Sequence, residues 1–273
     1  MTLARIAKIL TDAGIPDAKF EAALLVSHFT GTSRAKMLAE PDEEYDSAPL
    51  RDAVKKRADR YPLQYILGEW EFMGLPFTVN ENCLIPRPDT ECVTEAAIRL
   101  CPTGGRVLDL CTGSGCIAAS ILHYTKNTSG CAVELCPETA ELARKNIRDL
   151  GLAARCEVIT GDASEDLFPE DGMFDIIISN PPYIAKEEMI TLEPELDFEP
   201  RIALTDEADG LSLYRAIIAV YKNHLRPDGA MILEHGWKQS DAVMTIAAQN
   251  GMTGEIIRDF GGNIRGCTLK RTE

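Results

Sequence analysis

Asn180-Pro181-Pro182-Tyr183 follows an apolar run, 174–179, that reads as a buried strand. In an open α/β sheet, ligands bind outside the C-terminal ends of the strands, which is where these four residues would stand. The Asn180 side-chain oxygen and the Pro181 carbonyl are two acceptors held by the fixed φ of proline, and Tyr183 offers a flat face. An NH2 group on an sp2 carbon is a flat double donor and suits this set. Such a nitrogen is a poor nucleophile, because its lone pair is delocalised. Two acceptors orient it and favour the positive charge that builds on it during attack. What remains is to hold it in line with an electrophilic carbon. Taken alone, the segment also reads as a proline turn leaving a strand.

A site for the electrophile comes from 107–117, a short buried strand, a turn through Cys111, Thr112, Gly113, Ser114 and Gly115, and then a helix. That arrangement lets backbone approach a nucleotide at a helix N-terminus. The full G-x-G-x-x-G is absent, and so is the lysine of a phosphate loop, which argues against nucleoside triphosphates. Glu134 ends the next strand, at the position of an acid that accepts two ribose hydroxyls. The strand after that ends at Gly161-Asp162-Ala163, where a second acid can reach the adenine amine. Each acid alone reads equally as a solvated loop carboxylate. Together with the glycine turn they fit an adenosine. A cofactor that joins adenosine to a sulfonium methyl supplies the missing carbon. The combined chemistry is methyl transfer from S-adenosyl-L-methionine to a planar NH2, with S-adenosyl-L-homocysteine as product.

The elements that must position these residues divide in two. Apolar residues recur at helical spacing over 1–14 and 17–30, a short helix ends near 41, and another spans about 47–60. Between 69 and 85 the pattern becomes strand, turn, strand, with Met73-Gly74 in the turn. From 89 onward strands (106–110, 131–135, 157–160, 174–179, 230–234) alternate with helices (117–124, 137–150, 210–224, 237–249). Two strands follow near 254–260 and 265–271. Alternation implies a mostly parallel sheet with helices on both faces, and the closing pair implies an antiparallel edge hairpin. The expected fold is therefore α/β, a Rossmann-like doubly wound sheet preceded by a helical bundle and a β-hairpin linker. The expected domains are 1–75, 76–90 and 91–273.

Composition limits the partners. The 273 residues carry 28 Lys and Arg against 43 Asp and Glu, a net charge of −15. Residues 1–90 hold −3 of it and the rest −12. Such a surface repels polyanions, so stable nucleic-acid binding is not expected. The run Lys55-Lys56-Arg57 reads as a solvated helix face. No apolar run approaches the roughly 18 residues of a membrane helix, and the N-terminus lacks the apolar core of a secretory signal. A cytoplasmic location with no membrane partner is expected. The nine cysteines are odd in number and include no C-x-x-C, and the four histidines are scattered. They read as reduced packing residues, with no metal site.

The glycine turn, Glu134, Asp162 and Asn180 to Tyr183 resemble a class I S-adenosylmethionine methyltransferase acting on amide or exocyclic amino nitrogen. Further segments narrow the resemblance. Pro62 to Gly68, Phe72 to Leu75, Ile85-Pro86-Arg87-Pro88-Asp89-Thr90-Glu91, Asn180 to Ile184, Glu199 to Leu204, Asp209 to Leu211 and Arg265 are similar, in order, to the peptide chain release factor glutamine methyltransferases. That resemblance implies methylation of the N5 amide of the glutamine in the Gly-Gly-Gln motif of class 1 release factors. It implies that Cys111 to Gly115, Glu134, Asp162 and Ala163 line the cofactor. It also implies that Asn180 touches both the methionine end and the amide, and that Pro181, Pro182 and Tyr183 complete the amide pocket. Cys111 stands where many relatives have Gly, and Glu134 where Asp is frequent. A ribosomal-protein glutamine methyltransferase shares the Asn-Pro-Pro-Tyr chemistry, and adenine, cytosine and guanine also present a flat NH2. A cofactor-binding scaffold without turnover is the reading from outside the enzymes.

Overall fold

The computed structural model describes residues 1–168 and 173–272. The chain forms two compact units, Met1–Glu69 with Glu193–Phe198, and Trp70–Leu192 with Glu199–Glu273. The first holds α1 (Leu3–Asp12), α2 (Ala18–Thr30), α3 (Arg34–Ala39), α4 (Ala48–Ala58) and α5 (Leu63–Leu67). Thr2, Ser33 and Ser47 cap α1, α3 and α4 through their side-chain oxygens. Ile6, Leu10, Leu25, Val26, Leu50 and Val54 fill the core. The basic run departs from expectation at one residue. Lys55 and Lys56 are exposed, but Arg57 is buried and donates to Glu21 (2.5 and 3.2 Å) and to Glu195 (3.0 Å). Arg60 also reaches Glu195, at 2.7 Å. The acid that turns Arg57 inward lies 138 residues away, beyond any local pattern.

In the second unit β1 (Glu69–Phe72) and β2 (Leu75–Thr78) form the expected hairpin, with Met73 and Gly74 both at positive φ, as a tight two-residue turn requires. Phe72, Leu75 and Phe77 enter the core of this unit. The next element was not expected. Pro88–Leu100 is a helix, α6, with proline in its first turn. Its buried face is Thr90, Val93, Thr94, Ala96 and Ala97, too small and polar to register as an apolar period.

Among the described residues, seven strands form the main sheet, in the order β5-β4-β3-β6-β7-β9-β8. They are β3 (Arg106–Leu110), β4 (Ser129–Glu134), β5 (Cys156–Thr160), β6 (Phe174–Ser179), β7 (Leu225–Glu234), β8 (Met252–Arg258) and β9 (Ile264–Arg271). The first five in that order run parallel, and β9 runs antiparallel to both of its neighbours, β7 and β8. Helices α6, α7 (Cys116–Tyr124) and α8 (Pro137–Asp149) cover one face, and α9 (Ser212–Tyr221) and α10 (Ser240–Gln249) the other. β7 begins five residues earlier than expected, with Pro227 and Gly229 beside a register shift against β6. Three short 3-10 turns, Lys186–Thr191, Pro194–Phe198 and Arg201–Ala203, fill the stretch between β6 and α9. No helix of the described residues is long and apolar enough to cross a membrane.

The turn after β3 is organised by Asp109, a fully buried acid on that strand. Its Oδ2 accepts from Thr112 Oγ1 (2.5 Å) and from the Ala118 amide (3.1 Å), joining the strand end to the first turn of α7. Oδ1 has no partner among the described residues. Burial pushes the Asp109 carboxyl up to about 7. The folded protein therefore keeps a proton that the unfolded chain gives up between about pH 4 and 7, and stability falls as pH rises through that window. Asp109→Asn keeps an acceptor for Ala118 and removes the charge. Urea unfolding of the two proteins should show wild type losing roughly 2–3 kcal/mol against the variant between about pH 5 and 8. A gap that does not change with pH would contradict this account.

Candidate functional site

Strand order reverses between β3 and β6, whose neighbours diverge on either side. Crevices open at such switch points, beyond the C-terminal strand ends. A cavity of about 650 Å³ lies there. Cys111, Thr112, Gly113, Ser114, Glu134, Asp162, Ala163, Asn180 and Pro182 all line it. Gly115, Pro181 and Tyr183 are not among its lining residues. Gly115, at φ +81, instead admits α8, since a Cβ there would meet the Ala143 Cβ at 3.3 Å. Pro181 is buried. Tyr183 is partly buried, and its burial raises the phenol well above its ordinary value.

Glu134 takes its position from two backbone donors. Gly113 N–H donates to Oε2 at 2.9 Å and Cys136 N–H to Oε1 at 3.0 Å. Each oxygen keeps a further lone pair, so the carboxylate can still accept from two hydroxyls. Burial pushes its pKa up, against the pull of Cys136, Gly113 and Leu135 N–H groups. Asp162 accepts from Ser164 N–H at 2.8 Å and presents its other oxygen's acceptor capacity. Gly113 is at φ +57, and nothing lies within 4 Å of where its Cβ would be, so backbone is open to a ligand at that point. Cys111 is also left-handed, at φ +60, the region glycine favours. A non-glycine residue there costs about 1–2 kcal/mol. Burial pushes its thiol up to about 12, as it does for Cys116, Cys156 and Cys267. All nine cysteines are free.

At the β6 end, Asn180 Nδ2 donates to Thr90 Oγ1 on α6 at 3.3 Å. That engages one of the two N–H groups and turns Oδ1 away from Thr90, free to accept. Ser179 Oγ donates to the Leu110 carbonyl at 2.7 Å and ties the ends of β6 and β3 together. The motif Asp209-Gly210-Leu211 lies against this turn. Gly210 is at φ +74, and a Cβ there would fall 2.3 Å from the Tyr183 carbonyl oxygen, so glycine is required. Gln239 Nε2 donates to the same carbonyl at 2.9 Å.

The outer wall comes from the irregular stretch before α9. Glu199, almost fully buried, accepts from the Ile85 amide at 3.0 Å and pairs with Arg87. That gives Arg87 and Glu199 a common role, holding Pro200 to Ala203 along the cavity. Asp206 accepts from the Ala208, Gly210 and Ser212 amides, each at 2.9 Å, and starts α9. These backbone donors and the Ser212 hydroxyl outweigh burial and hold Asp206 below its ordinary value. The lining carries Glu134, Asp162, Asp206 and Glu207 against Arg87 and Arg201, an acidic balance suited to a cationic ligand.

The donor set fits an adenosine-bearing sulfonium cofactor. Glu134 offers a pre-held diol acceptor, Gly113 an open backbone face, and the walls are largely apolar with a negative balance. Sequence reasoning missed Asp109, Thr90 and Glu234. Glu234 ends β7 as Glu134 ends β4, so the strand-end pattern could have found it. Asp109 is signalled by a lone acid inside the apolar run Val107 to Leu110.

Residues 2–68 match the PrmC N-terminal domain family, and residues 93–193 the methyltransferase small domain family. The release factor glutamine methyltransferase of Neisseria gonorrhoeae is 40% identical over 253 residues, covering 89% of this chain and 90% of that protein. That of Moorella thermoacetica is 37% identical over 264 residues, covering 94% and 92%. Among solved structures, the hMettl16 catalytic domain aligns with a TM-score of 0.61 at 18% identity over 81% of each chain. A Pyrococcus furiosus methyltransferase aligns with a TM-score of 0.54 at 18% identity, covering 72% of this chain and 89% of that one. These two share the fold of the sheet unit: a seven-stranded class I methyltransferase sheet with an antiparallel edge pair. With identity of this order across nearly its whole length, the chain belongs to the release factor glutamine methyltransferase family.

Proposed function

We propose that this protein transfers a methyl group from S-adenosyl-L-methionine to the N5 side-chain amide nitrogen of a glutamine, that of Gly-Gly-Gln in class 1 peptide chain release factors. The observation that carries the reading is the position of Asn180. It lines one cavity with Glu134 and Asp162, one of its N–H groups engaged by Thr90 and its oxygen left to accept. The protein substrate is supported by the relatives, and by the charge of −12 on residues 91–273, which disfavours duplex nucleic acid. The reaction belongs in the cytoplasm, where release factors work.

When bound, S-adenosylmethionine supplies a methyl carbon activated by its sulfonium. Glu134 would accept the ribose hydroxyls and Asp162 the adenine amine, and Cys111 to Ser114 with Ala163 would form the bed, Gly115 serving to let α8 approach. Asn180 Oδ1 and the Pro181 carbonyl accept the two amide N–H groups of the glutamine. That grip orients the nitrogen and favours the charge developing on it. Pro182 and Tyr183 complete the pocket around the amide. The helical unit, 1–69 with 193–198, serves in gripping the protein substrate. After transfer the nitrogen is acidic enough to lose its proton to water.

The reading is tested with labelled S-adenosylmethionine, a class 1 release factor, its Gln→Ala variant in Gly-Gly-Gln, a ribosomal protein fraction and duplex DNA. Label on the intact release factor alone is expected. Label on the ribosomal fraction or the DNA alone would overturn the substrate assignment. Asn180→Ala should keep cofactor affinity and lower turnover by roughly 10²–10³, the scale of one lost preorganised partner. Turnover near wild type would remove Asn180 from its role. Glu134→Ala should weaken cofactor binding by about 1–3 kcal/mol in calorimetry, through lost charged hydrogen bonds. An unchanged Kd would place the ribose elsewhere.

A further inference from the structure

Glu234 is a buried carboxylate with no evident structural use. It ends β7, where Leu233 pairs with Ser179 of β6, so it lies level with Asn180. It is 3% exposed, and its Oε2 has no partner among the described residues. Leaving such an oxygen unpaired costs stability, and a fold that keeps it calls for an explanation. It does not line the cavity. Thr90, itself 3% exposed, lines the cavity, and its hydroxyl favours the charged form of Glu234. The same hydroxyl oxygen accepts from Asn180 Nδ2 at 3.3 Å.

A threonine hydroxyl has one proton to give. A neighbouring carboxylate can only accept, so it draws that proton to itself. The Thr90 oxygen is then left to accept, and only the NH2 end of Asn180 can satisfy it. The amide of Asn180 could otherwise flip and present NH2 to the substrate. Donor would then face donor, and the glutamine nitrogen would lose its acceptor.

We propose that Glu234 and Thr90 are positioning residues for the methyl transfer, with the Glu234 carboxylate polarising the Thr90 hydroxyl so that Asn180 keeps its Oδ1 toward the substrate amide. The proposal rests on the role given to Asn180 above. It extends the site by Thr90, which lines the cavity, and by Glu234, which does not.

The relay has a pH sense. Burial pushes the Glu234 carboxyl up to about 7. Asp89 raises it further, and Arg265 and Arg87 lower it. Tyr183, Tyr214 and Cys92 also face it, and all three are neutral near pH 7 because burial raises each of them. Above about pH 7 the carboxylate accepts and the relay is set. Below it the protonated group can itself donate to Thr90, and the Thr90 proton becomes free to turn Asn180.

The test compares wild type, Thr90→Val, Thr90→Ser and Glu234→Gln. It measures kcat and KM for release factor methylation across roughly pH 6–9, cofactor Kd, and thermal unfolding. Thr90→Val should lower kcat roughly tenfold or more, the scale of one lost orienting hydrogen bond, with cofactor Kd unchanged. Thr90→Ser should restore it. Glu234→Gln keeps an acceptor and cannot ionise. Its kcat at high pH should stay near wild type, and the loss of turnover that wild type shows as pH falls through about 7 should disappear. A purely structural role predicts instead a lower melting temperature with kcat unchanged. Thr90→Val with wild-type kcat, or the same pH inflection in Glu234→Gln, would overturn the proposal. A second readout does not need the substrate. The side-chain amide NMR signals of Asn180 should shift with pH through about 7 in wild type and stay fixed in Glu234→Gln. If wild type leaves the release factor unlabelled, the substrate reading fails, and this titration still decides the relay.

Discussion

Asp109 places a carboxylate inside a sheet strand and spends one oxygen on two groups of the turn that follows. That contact fixes where β3 stops and where α7 begins. Once it is made, Gly113 faces open space and its N–H points to Glu134 on the neighbouring strand. Three elements are thereby locked at one point: the end of β3, the end of β4 and the first turn of α7. The penalty is a desolvated carboxyl, which shows as its raised pKa. Cys111 adds backbone strain at the same turn. Both costs fall where the cavity wall has to be rigid, as strained geometry at a functional site does.

The second half of the site depends on a reversal in strand order. β6 returns beside β3, so Asn180 comes to stand next to a turn 69 residues earlier, with Ser179 bonded across to Leu110. The stretch between β6 and α9 has little regular structure to hold it. Asp206 and Glu199 supply what is missing by satisfying backbone amides that a helix or strand would have satisfied. These two acids thus act as structure, and Glu199 also holds the Arg87 guanidinium along the cavity.

Strand-end acids recur through the sheet unit, and their surroundings separate their roles. Glu134 and Asp162 face the cavity with acceptor capacity to spare. Glu234 ends β7 in the same way but is buried and does not line the cavity. Glu134 and Glu234 share residue type and place as the last residue of a strand, and Asp162 follows β5 by two residues. Helix α6 makes the difference, because it is the element that lays Thr90 across the end of β7.

Much of this was legible in the chain before folding. Alternation of 2- and 3.6-residue periods is a local property, so the strands 106–110 and 174–179 and the helices on either side could be read directly. Gly113, Glu134 and Asn180, singled out from the chain, line one cavity, because each follows directly from a strand end that local pattern reveals. Gly115, Pro181 and Tyr183, singled out with them, do not line it. What the tertiary structure decided is long-range. It turned Arg57 inward through an acid 138 residues away. It made a helix of 88–100, whose buried face mixes Val93, Ala96 and Ala97 with Thr90 and Thr94 and so carries only a weak apolar signal. It set Gly210 against the Tyr183 carbonyl and Thr90 against Asn180. Hydrogen bonds between distant residues leave no spacing to read, so the layer that orients Asn180 emerged only when the strands were brought side by side.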